Sequence, residues 1–293
     1  MEWSKNEKIQ DDVACLVIRD ILAVLNIIVE GENPTQSIIN IYGSRYTNEI
    51  KKEMIDILYK YESFKKYENN NNELIKNFPK DCFLNKNTFE FISTCIFSLK
   101  HWRHIVTVGN SGIGKKLLAC KFGDYFNEYI AEKSFDNIVN QNDSSLINIS
   151  INESLRKKKK KKLFEEESLY IVYCTKSSKV EDLIGRPKVS NNKEEDLLQW
   201  HDGPLIKAVR EGKPLILIGI HELQSSVLEY MNDLLDRKYD GKQRYFNNPN
   251  NPNESKIPIH KNFRLICTTL FSDLNKLSPT FDTRMDIKIS MTN

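Results

Sequence analysis

Four short, nearly unbroken apolar runs constrain this chain most: residues 105–108 (IVTV), 169–174 (LYIVYC), 214–220 (PLILIGI) and 263–269 (FRLICTT). A strand with one wet face alternates apolar and polar residues. These do not alternate, so they read as strands buried on both faces. Segments with apolar residues at spacings of three and four lie between them, at 115–129, 203–211 and 225–236, and predict helices. Buried strands alternating with helices predict an α/β fold with a parallel sheet covered on both sides. Three further helices are predicted upstream, at 13–29, 48–67 and 88–99.

The first run leads directly into Gly109, Asn110, Ser111, Gly112, Ile113, Gly114, Lys115 and Lys116. This is the spacing of a phosphate loop. Its glycines let backbone N–H groups converge on phosphates, and Lys115 would reach the outer ones. The bland alternative is a glycine turn with an exposed lysine. The position, between a buried strand and a helix at the carboxyl edge of a sheet, favours a nucleotide such as ATP. One part is missing. The Ser or Thr hydroxyl that normally follows the lysine and holds Mg²⁺ is Lys116, so whether Mg²⁺ accompanies the nucleotide stays open.

Composition narrows the alternatives. The net charge of +3 is near balance and points to no acidic partner. Six cysteines without CxxC spacing offer no zinc site and read as reduced thiols. The N-terminus lacks the apolar core of a signal peptide, and the apolar run near 21–29 is too short for a membrane span. A soluble intracellular protein without membrane partners is the expectation. Low-complexity stretches at 69–72, 137–162 and 247–253 read as disordered insertions. The second ends in a lysine run, 156–162, offset by Glu165, Glu166 and Glu167. It reads as a solvated loop extension. Direct nucleic-acid contact is not expected, because no aromatics are interleaved with the lysines. Trp200 reads as a packing anchor, and Asp202 as the N-cap of the helix that Pro204 opens.

Several spaced blocks then agree with one family. They are VEDLIG at 180–185, QWHDGPLIKAVREGKPLIL at 199–217, SSVLEYMNDLLD at 225–236, NFRLICTT at 262–269 and LSPTFDTR at 277–284. With the phosphate loop, this order resembles the midasin-like, dynein-related AAA modules from about residue 83 to 289. VIRDIL at 17–22 and IYGSRY at 41–46 resemble the small helical lid that closes one such module before the next begins. The resemblance implies a lid-like helical segment at 1–68 and a linker at 69–80. An AAA-type P-loop domain follows at 81–290, with disordered insertions near 134–167 and 245–256. It further implies a fragment of a longer ring chain, or one product of a split chain. The partners implied are other AAA modules of a hexameric ring and precursors of the large ribosomal subunit. The location implied is the nucleus.

Within that resemblance Arg284 matches the arginine that reaches a neighbour's γ-phosphate, a finger acting in trans. A solvated helix-end charge is its alternative. Arg19 reads either as a nucleotide sensor for a neighbour or as a surface charge. The catalytic parts depart from the family. Where its central strand ends in Asp-Glu, to hold Mg²⁺ and polarise water, the equivalent residues are Ile218 and Gly219. A slipped register would instead offer His221 and Glu222. The family's polar sensor aligns with Leu270, beside Thr268 and Thr269. Two readings follow: an AAA ATPase, using Glu222 if active, or a degenerate module serving as a structural ring position.

Overall fold

The computed structural model describes residues 18–29, 34–43, 48–59, 86–101, 103–141, 169–189, 198–235, 243–251, 254–285 and 287–291. The chain divides into two compact units, Met1–Ile113 with Met285–Asn293, and Gly114–Arg284. The asparagine run at 69–72, the lysine run and the expected helical stretches at 13–17 and 60–67 lie outside the described residues.

In the first unit, helices α1 (Ile18–Val29), α2 (Pro34–Ile41), α3 (Asn48–Tyr59) and α4 (Lys86–Lys100) precede strand β1 (Ile105–Gly109). The helix α2 was not foreseen. Its eight residues carry Thr35, Ser37 and Asn40, which mask its periodicity, yet all three are buried. Val24, Ile27, Ile39, Ile41, Met54 and Leu58 form one apolar cluster, and Phe97 of α4 inserts into it. The lid-like helices and the helix leading into β1 therefore share a core. Strand β9 (Ile287–Met291) runs parallel to β1, with Ile105 opposite Ile287 and Gly109 opposite Met291.

The second unit opens with α5 (Lys115–Gln141) and β2 (Tyr170–Tyr173). The helix overruns its expected end at 129 and enters the stretch expected to be disordered from 134. No Gly or Pro stands between 124 and 141 to stop it, and propagation adds one hydrogen bond per residue fixed. Next come α6 (Val180–Ile184), β3 (Gly185–Val189), β4 (Leu198–Asp202), α7 (Pro204–Glu211) and β5 (Pro214–Ile218). After β5 follow α8 (Ser225–Tyr230), α9 (Asn232–Leu235), β6 (Tyr245–Asn247), β7 (Lys256–Pro258), β8 (Arg264–Thr269) and α10 (Pro279–Arg284). Within the second unit the strands lie in the order β2-β5-β8, all parallel, and in the first unit β1 and β9 are parallel. Leu215, Ile216 and Leu217 of β5 are fully buried, as the unbroken apolar run demanded. The fold is the expected α/β sheet flanked by helices.

Three local expectations are corrected. Asp202 does not cap α7. Gly203 holds the cap position, and Asp202 accepts instead from Trp200 Nε1 at 3.0 Å and Arg210 Nε at 2.9 Å. The expected single helix at 225–236 breaks at Met231, which is fully buried and donates its N–H three residues back to Leu228, at 3.1 Å. The stretch near 245–256 forms an antiparallel hairpin, β6–β7, in place of a disordered insertion. Its asparagines build turns, because an Asn side chain bonds nearby backbone. Asn248 Oδ1 accepts from the Asn250 N–H at 3.3 Å, the Asn248 N–H reaches Ser255 O at 2.8 Å, and Asn248 is fully buried. Among the described residues no helix is long and apolar enough to cross a membrane.

Candidate nucleotide site

The loop begins where β1 ends and finishes where α5 begins, as expected from the sequence. Its glycines are required for two different reasons. At Gly109 the reason is space: a Cβ would lie 2.3 Å from Ile113 Cδ1 and 2.8 Å from Met291 O. At Gly112 and Gly114 the reason is conformation, with φ of +82° and +87°. Among the described residues nothing lies within 4 Å of a Cβ at either position, so this side of the loop is open. Asn110, Ser111, Gly112 and Gly114 are exposed. Left-handed residues alternating with others turn successive N–H groups to one side, and a helix N-terminus adds its own partial positive charge. The helix hydrogen bonds start at once, with Leu118 N–H to Gly114 O at 3.0 Å.

The two lysines differ. Lys115 is half-buried, and desolvation pulls its pKa below the usual lysine value. An anion arriving beside it would relieve that cost. Lys116 is exposed, and its ammonium lies over the Tyr173 ring, 4.7 Å from the centroid. A hydrogen bond to Tyr173 is the first cause that raises the Lys116 pKa. Tyr173 ends β2 directly opposite Ile218 in the parallel ladder.

The central strand β5 ends at Ile218. Gly219 follows in the left-handed region, φ +77° and ψ 48°. Its N–H donates to Thr268 O and to Thr268 Oγ1, both at 3.0 Å. The strand end therefore carries no acid. His221 and Glu222 lie beyond it, in a 3-10 turn spanning Ile220–Glu222. There the fold assembles a polar cluster. His221 Nδ1 is 3.2 Å from Thr269 Oγ1. Its Nε2 is 3.6 Å from Glu222 Oε1 and 3.7 Å from Asp273 Oδ2. The ammonium of Lys276 pairs with Asp273 at 2.5 Å and is the first cause holding its carboxyl below the usual range. Both threonines at the end of β8 are thus engaged within the protein. Leu270, which the resemblance aligns with the polar sensor, caps a second 3-10 turn, Phe271–Lys276. Arg284 ends α10 and donates to Thr280 O at 3.2 Å.

Residues 157–285 match the family model described as the AAA domain of the dynein-related subfamily. The fold is that of an AAA domain. AAA domains generally bind ATP, and AAA modules typically act in oligomeric rings. The match covers somewhat under half of the chain and begins after Lys116, so the phosphate loop rests on its own geometry. No curated protein matches the chain. Mg²⁺ does not suit the residues where β5 ends. The metal needs a shell of oxygen ligands, and the residues present are an ammonium, an isoleucine and a glycine. Among the described residues no group of three His, Cys, Asp or Glu is placed to hold a metal.

Tyr173, Asp273 and Lys276 escaped the sequence reading. Nothing local marks them, since each gains its role from a neighbour on another element.

Proposed function

We propose that this chain is a midasin-like AAA module that binds ATP at Gly109–Lys116 and is impaired in hydrolysing it. The observation that carries this reading is the end of β5. Ile218 and Gly219 stand where hydrolysis needs a metal-holding and a water-polarising carboxylate, and Gly219 is left-handed. Losing one such electrostatic group costs an enzyme about 10²–10³ in rate. Here Lys116, Ile218, Gly219 and Leu270 depart together. The module acts as a structural position in a hexameric ring of AAA modules, with Arg284 serving a neighbour's nucleotide. By the midasin resemblance, the ring works in the nucleus on large-ribosomal-subunit precursors, in their assembly and export.

Two measurements test this. The purified chain is expected to bind a fluorescent ATP analogue, with loss of binding in Lys115→Ala. Phosphate release from ATP is expected to stay at background. The competing reading is an active ATPase with Glu222 as its base, and the adjacent His221 side chain speaks for it. Measurable turnover that vanishes in Glu222→Gln would establish that reading and overturn ours.

A further inference from the structure

We infer that nucleotide is held at this loop without Mg²⁺, with the Lys116 ammonium acting where the metal would and Tyr173 as its resting place. The inference rests on the nucleotide-binding reading above and sharpens what that site accepts.

Three observations carry it. First, β5 itself ends without an oxygen ligand side chain, at Ile218 and Gly219, and the Asp273 carboxylate beyond them is already paired with Lys276. Second, a cation is already at the carboxyl end of the strands. Lys116 lies in the first turn of α5, and its ammonium sits over Tyr173, opposite Ile218 in the ladder. Third, that cation can be redirected. Lys116 and Tyr173 are both exposed, so no buried packing holds the pair together.

The balance of forces sets the direction. The exposed contact with Tyr173, through its ring face and its hydroxyl, engages a neutral group, whereas a charge-assisted hydrogen bond to a phosphate oxygen joins opposite charges and is among the stronger ones. An arriving polyphosphate therefore draws the ammonium off the ring. Lys115 and Lys116 together place two positive charges at the loop, the same charge as one Mg²⁺. Metal on the nucleotide works against this arrangement. It neutralises part of the phosphate charge and brings a second cation towards Lys116, with no carboxylate at 218 or 219 to offset the repulsion. The preferred ligand is the metal-free nucleoside polyphosphate.

The test titrates the full chain with N-methylanthraniloyl-ATP in excess EDTA and in excess Mg²⁺. The expected Kd in EDTA is equal to or lower than that in Mg²⁺. Lys116→Met, which keeps length and removes charge, should weaken binding in EDTA by about 10- to 100-fold. Tyr173→Ala, which frees the ammonium, should bind at least as tightly as the parent. Thermal melts confirm that both exposed substitutions leave the fold intact. Binding that requires Mg²⁺ would overturn the inference while leaving the nucleotide reading intact. So would Lys116→Met binding in EDTA as tightly as the parent. No binding in either buffer would overturn the nucleotide reading, and this inference with it.

Discussion

Gly219 offers the sharpest test of why the strand end carries no acid. Its φ of +77° and ψ of 48° place it in the left-handed region. A Cβ there would stand 3.8 Å from His221 Cε1 and 4.0 Å from Cys174 O, ordinary contact distances. Space is therefore not the obstacle, and Gly219→Ala isolates the backbone term. Left-handed backbone costs an L-residue about 1–2 kcal/mol. A stiffer unfolded chain returns about 0.4–1 kcal/mol. The net loss should be near ~1 kcal/mol. With a urea slope of about 2 kcal/mol/M, the midpoint falls by about 0.5 M at unchanged slope. Gly219→Asn should lose less, because a short polar side chain tolerates this region. Urea denaturation followed by circular dichroism measures both. The reasoning fails if Gly219→Ala is as stable as the parent or more so, since that is the sign expected for an ordinary extended position. The functional consequence follows from the same number. A glutamate at 219 meets the same backbone cost, and it would leave from a residue turned away from the strand direction. Ile218→Asp combined with Gly219→Glu is accordingly expected to stay at background in phosphate release.

Other outcomes follow from the same structure. Arg210 forks onto Glu254 of the β6–β7 hairpin and also bonds Asp202. Glu254 is 41% exposed, so Glu254→Gln should cost under about 1 kcal/mol, less in high salt. The Arg210 hydrogen bond holds the Glu254 carboxyl below its usual range. Its contribution is therefore full above the unfolded value of about 4.3 and is lost as pH falls through the lowered folded value. The difference between parent and Glu254→Gln in urea should vanish in that acid window. Alkylation mapped by mass spectrometry should modify half-buried Cys120 before Cys95, Cys174 and Cys267. Burial raises all four thiols, with Cys174 pushed up to about 12.

Much of this architecture was legible because its signals are local. An apolar run with no alternation needs burial on both faces, and that requirement holds for β1, β5 and β8; it fails for β2, where Ile171 and Tyr173 are exposed. The phosphate loop was legible for the same reason, since its glycines, its lysine and its flanking strand and helix are contiguous. Even the missing hydroxyl at Lys116 could be read directly. Illegible elements were those whose reason lies elsewhere in the chain. Strand β9 pairs with β1 from the far side of the whole second unit, Ile105 opposite Ile287. The asparagines at 247–253 read as a disordered insertion, but the Asn248 side chain accepts from the Asn250 N–H in a turn and the hairpin packs Phe246 and Ile257 in full burial. Asp202 looked like a cap from its place before Gly203 and Pro204, yet Arg210 and Trp200 claim its carboxylate.

The sequence by itself determined the α/β class, the place of the glycine-rich loop between β1 and α5, and a lysine where a phosphate loop carries a hydroxyl, because each follows from neighbouring residues. Only the tertiary structure decided the state of the strand end. Residue types do not reveal that Gly219 turns left-handed and bonds Thr268, or that His221 joins Thr269 and Asp273. They do not reveal that the Lys116 ammonium rests on Tyr173 beside Ile218. Those contacts join residues distant in sequence, and the energies that select them exist only once the strands have paired.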